Sequence, residues 1–127
     1  MTFILVPKTG ADIQINAWNW RPTLEILLAE GLITEDEHQR LGMHGLGEVD
    51  ESKALQFADS LTKRLSSMSP NDRVLADLSI STEPKQPTVF SGRGESNIDV
   101  NELYSTSYEW LLTFEEFCRR SGGFIVL

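Results

Sequence analysis

The stretch Gly122-Gly123-Phe124-Ile125-Val126-Leu127 decides the fold. Two glycines precede four apolar residues, so both alternating faces of the segment are apolar. That pattern predicts a short strand inside a sheet, covered on both sides. A partner lies at the other end of the chain, where Phe3-Ile4-Leu5-Val6 is stopped by Pro7. Lys8, Thr9 and Gly10 read as a turn. Asp12 to Trp18 then alternates with period two, Ile13, Ile15 and Ala17 against Gln14, Asn16 and Trp18. These segments predict a β-hairpin with a loop of about five residues. Strand signals sit at both ends and helical signals between them. The expected fold is therefore α+β, a small sheet formed by an N-terminal hairpin and a C-terminal strand, packed on about four helices.

Working inward, Pro22 is placed as the first residue of a helix, where its missing N–H costs nothing. Leu24, Leu27 and Leu28 recur at helical spacing. Gly31 supplies a left-handed C-terminal position, and Leu32 the apolar contact that follows it. The first helix is expected over about 22–30. Thr34 and Glu37 form the Thr-x-x-Glu capping box of a second, short helix. It should end near Leu41, because glycines recur at 42, 45 and 47. A third helix begins at Asp50. Its apolar seam is Ala54, Ala58, Leu61, Leu65 and Met68, with Leu55 and Phe57 beside it. Residues 69–98 are rich in Ser, Thr, Pro, Gly and Asn and are expected as a mobile loop or a β-excursion. Within them, Val74 to Ile80 reads as a strand or a helical turn, and Val89-Phe90 as a second small strand. Asp99 and Glu102 cap a last helix expected over about 100–120, with Arg119 and Arg120 in its final turn.

The chain has 127 residues, the size of one domain, and neither a repeat nor a boundary divides it. Eleven Lys and Arg face 19 Asp and Glu, a formal net charge of −8. That balance repels phosphate backbones and anionic lipid, so nucleic acid and membrane are excluded as first partners. No apolar window nears the roughly 18 residues of a membrane span, and MTFILVPKTG lacks the pattern of a secretory signal. Cytoplasm is the expected compartment. The lone Cys118 excludes an internal disulfide and a thiolate-rich zinc site. It falls near the C-terminal end of an aromatic helix, where the dipole disfavours a thiolate, and reads as a buried structural thiol.

Two stretches carry a resemblance. One is Ile15-Asn16-Ala17-Trp18-Asn19-Trp20-Arg21-Pro22, and the other is Phe114-Glu115-Glu116-Phe117-Cys118-Arg119-Arg120-Ser121-Gly122-Gly123-Phe124. With the helix start Val49-Asp50-Glu51-Ser52-Lys53-Ala54-Leu55 between them, the chain resembles a set of small bacterial proteins of no assigned function. Those proteins share an Asn/Trp-rich segment before helix one and a Ser-Gly-Gly-Phe motif after the last helix. The resemblance implies a similar fold and supplies no catalytic residues. The segment Gly31-Leu32-Ile33-Thr34-Glu35-Asp36-Glu37 is also similar to the helical hairpin of short oligomerisation modules.

Chemistry-bearing residues are few. His38 and His44 lie six apart across the helix-breaking Gly42, with no His-x-x-x-His or His-Glu-x-x-His pattern, so no metal site and no cofactor is expected. Were there a metal or a small-molecule pocket, His44, Glu48 and Asp50 would be its residues. Ser91-Gly92-Arg93-Gly94-Glu95-Ser96 lacks the lysine and spacing of a phosphate loop and reads as a turn. The span from Glu25 to Glu51 holds eight carboxylates and one Arg or Lys, Arg40. One-signed charge of this kind steers a partner of opposite sign. Trp18 and Trp20 share the polar face of the predicted strand, where an exposed tryptophan could anchor a partner, or both rings could tuck under the first helix. The expected function is non-catalytic: an interaction module, of the immunity or antitoxin kind, docking a basic protein through Glu35, Asp36, Glu37, Trp18 and Trp20. The alternatives are a small enzyme or small-molecule binder using His44, Glu48 and Asp50, and a homo-oligomeric structural protein joined through helix three.

Overall fold

The computed structural model describes residues 2–75, 77–81 and 105–127. Strands β1 (Thr2–Pro7) and β2 (Ile13–Asn16) form the hairpin, joined by the five-residue loop 8–12. Helix α1 (Ala17–Ala29) follows directly. Its start differs from the expected Pro22 because Asn16 ends the strand and caps the helix, accepting from the Asn19 N–H at 3.0 Å. Pro22 sits inside the helix. The helix ends as expected. Glu30 is its C-cap, Gly31 takes φ +73°, and the Leu32 N–H reaches the Leu27 carbonyl at 3.0 Å.

Helix α2 (Glu35–Leu41) carries the complete capping box, with the Glu37 N–H donating to the Thr34 hydroxyl and the Thr34 N–H to the Glu37 carboxylate. Strand β3 (Gly47–Asp50) then leads straight into α3 (Glu51–Ser66), with Asp50 as N-cap. The expected seam Ala54, Ala58, Leu61, Leu65 and Met68 is buried, and Phe57 with it, while Leu55 is exposed. Strand β4 (Arg73–Leu75) and strand β5 (Ile80–Ser81) occupy the segment 74–80 that sequence left between strand and helical turn. Strand β6 (Ser105–Ser107), helix α4 (Tyr108–Ser121) and strand β7 (Gly123–Val126) complete the described residues. The α4 helix begins later than expected because Ser107 caps it, accepting from the Trp110 N–H. The Asp99–Glu102 cap and the Val89-Phe90 strand lie outside the described residues.

These elements give an α+β fold with two antiparallel sheets among the described residues. The larger has the order β2-β1-β7-β3, so the C-terminal strand does join the N-terminal hairpin. Leu5 pairs with Val126, Val6 with Ile125, and Phe124 with Val49. Strand β3 was not foreseen; its glycine-flanked Glu48-Val49 is too short to show periodicity. The smaller sheet has the order β5-β4-β6 and meets α1 and α4 through β6.

Pleating sorts the larger sheet into two faces. Phe3, Leu5, Ile15, Val49, Phe124 and Val126 point inward and are buried. The aromatic centre of the core comes from α1, α4 and β7, with Phe57 of α3 against Phe114. Trp20 meets Phe114 edge-on at 5.4 Å between centroids, Trp110 stacks on Phe114 at 5.5 Å, and Phe117 meets Phe124 at 5.3 Å. The outward face is different. Ile125 is 41% exposed and Leu127 47%. The expectation that the closing strand is covered on both sides is thus half corrected: β7 is interior to the sheet, between β1 and β3, but only one of its faces is packed.

Candidate functional site

The acidic span from Glu25 to Glu51 folds into α1, α2, β3 and the start of α3, and tertiary packing neutralises part of it. Glu25 meets His38 Nε2 at 2.7 Å, Glu30 meets Arg64 at 2.9 Å and Asp36 meets Arg40 at 3.0 Å. Glu37 bonds the Lys53 ammonium from α3. That hydrogen bond, with the Thr34 backbone N–H, holds the Glu37 carboxyl below the usual carboxylate range. Asp50 accepts from the Lys53 N–H at 2.8 Å as a helix cap. Among the described residues, Glu35, Glu48 and Glu51 meet no cation within 4.0 Å.

Glu37 and Glu48 are far apart in sequence yet line one cleft of about 120 Å³ with Arg40, Leu41 and Leu46. The turn through Gly42 and Gly45 swings β3 back alongside α2, which makes this possible. Gly47 sits so close under Leu41 that a Cβ there would come within 2.8 Å of the Leu41 side chain. The cleft offers the Glu48 carboxylate beside two leucines, with Glu37 already paired to Lys53 and Arg40 among its lining. That combination suits the aliphatic stem and charged head of a lysine or arginine. Glu35 and Asp36 stand exposed on the first turn of the same helix.

The tryptophans separate. Both lie on α1 rather than on a strand, and two residues on a helix span about 200°. Trp18 is 37% exposed, whereas Trp20 is wholly buried and donates its Nε1–H to the Leu41 carbonyl at 2.8 Å. Trp20 is therefore a core residue holding α1 to the end of α2, and of the two only Trp18 reaches the surface.

His44, Glu48 and Asp50 do not form a joint site. His44 is exposed, stacks on Phe3 at 4.3 Å between centroids, and contacts the Leu127 carbonyl through Nδ1 at 3.1 Å. Asp50 is committed to capping α3. No group of three or more metal-ligating side chains gathers among the described residues. The larger groove lies between α1 and α2, about 320 Å³, lined by Arg21, Leu24, Glu25, His38 and Met43. Its Glu25–His38 pair was missed as a pair because its members belong to different helices.

Cys118 is buried, and desolvation first, then the nearby Glu115 carboxylate, pushes its thiol well above its ordinary pKa. Arg119 reaches Asp59 at 3.3 Å and Thr62 at 3.0 Å, tying α4 to α3. Arg120 spans Thr9 and Ala11 carbonyls and covers the Phe117 ring at 5.0 Å, pinning the β1–β2 loop. The Ser91–Ser96 loop lies outside the described residues. No helix among the described residues is long and apolar enough to cross a membrane. Compared with models of known families, with curated proteins and with solved structures, the chain matches none.

Proposed function

We propose that the protein is a non-catalytic interaction module, of the immunity or antitoxin kind, that docks a basic protein through the acidic surface of α2 and β3. The observation that carries this reading is the α2–β3 cleft, where Glu48 stands beside Leu41 and Leu46, and Glu37 is already held by Lys53. Glu35 on α2 and Glu48 on β3, which meet no cation among the described residues, add unpaired negative charge to those two elements. Such a surface raises association rate and selects partners by sign, and its effect falls with ionic strength. Trp18, at the exposed start of α1, is the aromatic candidate for an anchor.

The test is affinity capture from host lysate at low and high salt, with the native protein and with a Glu35→Lys, Asp36→Lys double variant checked for folding by circular dichroism. A stoichiometric basic protein should be captured at low salt and released at high salt. The double variant should bind it about tenfold more weakly, about 1.4 kcal/mol. Capture unchanged by the charge reversal would show that this face is not the docking surface.

A second reading is supported by the α1–α2 groove. Its Glu25–His38 pair, at 2.7 Å, stands beside Arg21 over the apolar Leu24 and Met43, the mix of few polar groups and apolar wall that small ligands use. This moves the small-molecule alternative from His44 to His38. Perturbation of the His38 ring resonances by fragments carrying a carboxylate or amide would support it.

A further inference from the structure

We propose that the outward face of the β2-β1-β7-β3 sheet is the interface of a weak homodimer. The face is built from alternate residues of the two central strands. Val6 pairs with Ile125, and Ile4 and Leu127 exchange backbone hydrogen bonds of 3.3 and 2.8 Å. The four side chains therefore form a two-by-two apolar block. On the β3 side, Leu46, more than half exposed, extends the apolar area. On the β2 side, Gln14 opposite Ile4 closes it with a polar edge.

What occupies the face follows from its rim and its size. Beside Val6 and Ile125 lies a depression of about 160 Å³, with Lys8 on one flank and Glu48 on the other. One cation, from the β1–β2 loop, and one anion, from β3, thus border the apolar block. A strongly basic or strongly acidic partner would meet a like charge there. A second copy would not, because a two-fold axis places residue i against j and j against i, so each Lys8 can face the other copy's Glu48. Strands lie about 4.8 Å apart and rise about 3.3 Å per residue, so the face measures about 19 by 20 Å. Two copies would cover on the order of 800 Å², below the roughly 1,200 Å² of stable interfaces. The dimer is therefore weak and concentration-dependent. Each copy carries −8, so the copies repel at long range and salt strengthens their association. Docking of a basic partner on α2 and β3 has the opposite salt dependence, so the two readings fail separately.

Sedimentation equilibrium from micromolar to millimolar protein, at low salt and at about 1 M salt, tests this. The apparent mass should rise from 14.3 kDa toward twice that value with concentration, and further with salt. Ile125→Lys, at an exposed position, should weaken association by more than about tenfold while the circular dichroism stays native. Lys8→Glu should weaken it as well, and adding Glu48→Lys to Lys8→Glu should restore it. A mass of 14.3 kDa at every concentration and salt would overturn the proposal. So would a dimer untouched by Ile125→Lys. Failure of the charge swap to restore association would overturn the reciprocal Lys8–Glu48 pairing.

Discussion

At the scale of single residues, one buried hydroxyl links three elements. Thr23 is fully buried on α1; its hydroxyl donates to the Asn19 carbonyl at 2.7 Å and accepts from Trp110 Nε1 at 2.9 Å. The Thr106 hydroxyl, equally buried, lies 3.2 Å away. Asn19 continues the network, accepting from Arg73 Nη2 at 3.2 Å and from the Ser107 N–H at 3.1 Å. Arg73, its pKa lowered by desolvation, also donates to the Ser105 hydroxyl and carbonyl. One small polar cluster thus fastens α1, α4 and the β4–β6 sheet together. Thr23→Val keeps the shape and removes the hydroxyl, leaving the Trp110 N–H and the Thr106 hydroxyl without their buried partner. Urea unfolding should show a loss of about 1–3 kcal/mol, with an unchanged m-value. None of this was legible in the sequence. Thr23, Asn19, Arg73 and Thr106 are ordinary polar residues whose meaning depends on neighbours up to 88 positions away.

At the scale of elements, α2 shows how a helix of seven residues is held. Too short to be stable alone, it relies on its Thr34–Glu37 capping box and on the Lys53 ammonium reaching Glu37 from α3. The box was read directly from Thr-x-x-Glu, whereas the Lys53 contact needs the chain reversal through β3. The paired carboxylate has a pH consequence. Because the folded state lowers the Glu37 pKa, its contribution is fully present above the unfolded carboxylate value and is lost as pH falls through the folded one. The stability gap between the native protein and Glu37→Gln should therefore be largest near neutral pH. It should narrow as pH drops below the ordinary carboxylate range. Chemical denaturation of both proteins from neutral to acid pH measures this directly, and a constant gap would sink the assignment.

At the scale of the whole molecule, the sheet decides what is inside and what is open. The turn from α4 into β7 passes through Gly122 at φ +70° and Gly123 at φ +104°. A Cβ on Gly123 would stand 2.8 Å from the Val49 carbonyl oxygen across the sheet. Gly123→Ala should therefore cost on the order of 1–3 kcal/mol, and thermal unfolding should report it. Sequence alone determined the α+β class, the α2 box, the Gly31 helix end, the buried seam of α3 and the partnership of the two chain ends. All of these rest on interactions among residues a few positions apart, or on apolar runs that must find a sheet. Tertiary structure alone decided that α1 starts at Ala17, that Trp20 is core while Trp18 is not, and that α2 and β3 bring Glu37 beside Glu48. It also decided that, among the described residues, one face of Phe124-Ile125-Val126-Leu127 is left with Ile125 and Leu127 exposed. The physical reason is common to these. An apolar pattern states that a side chain can be buried, but only the supply of helices to pack on each face of the sheet settles whether it is.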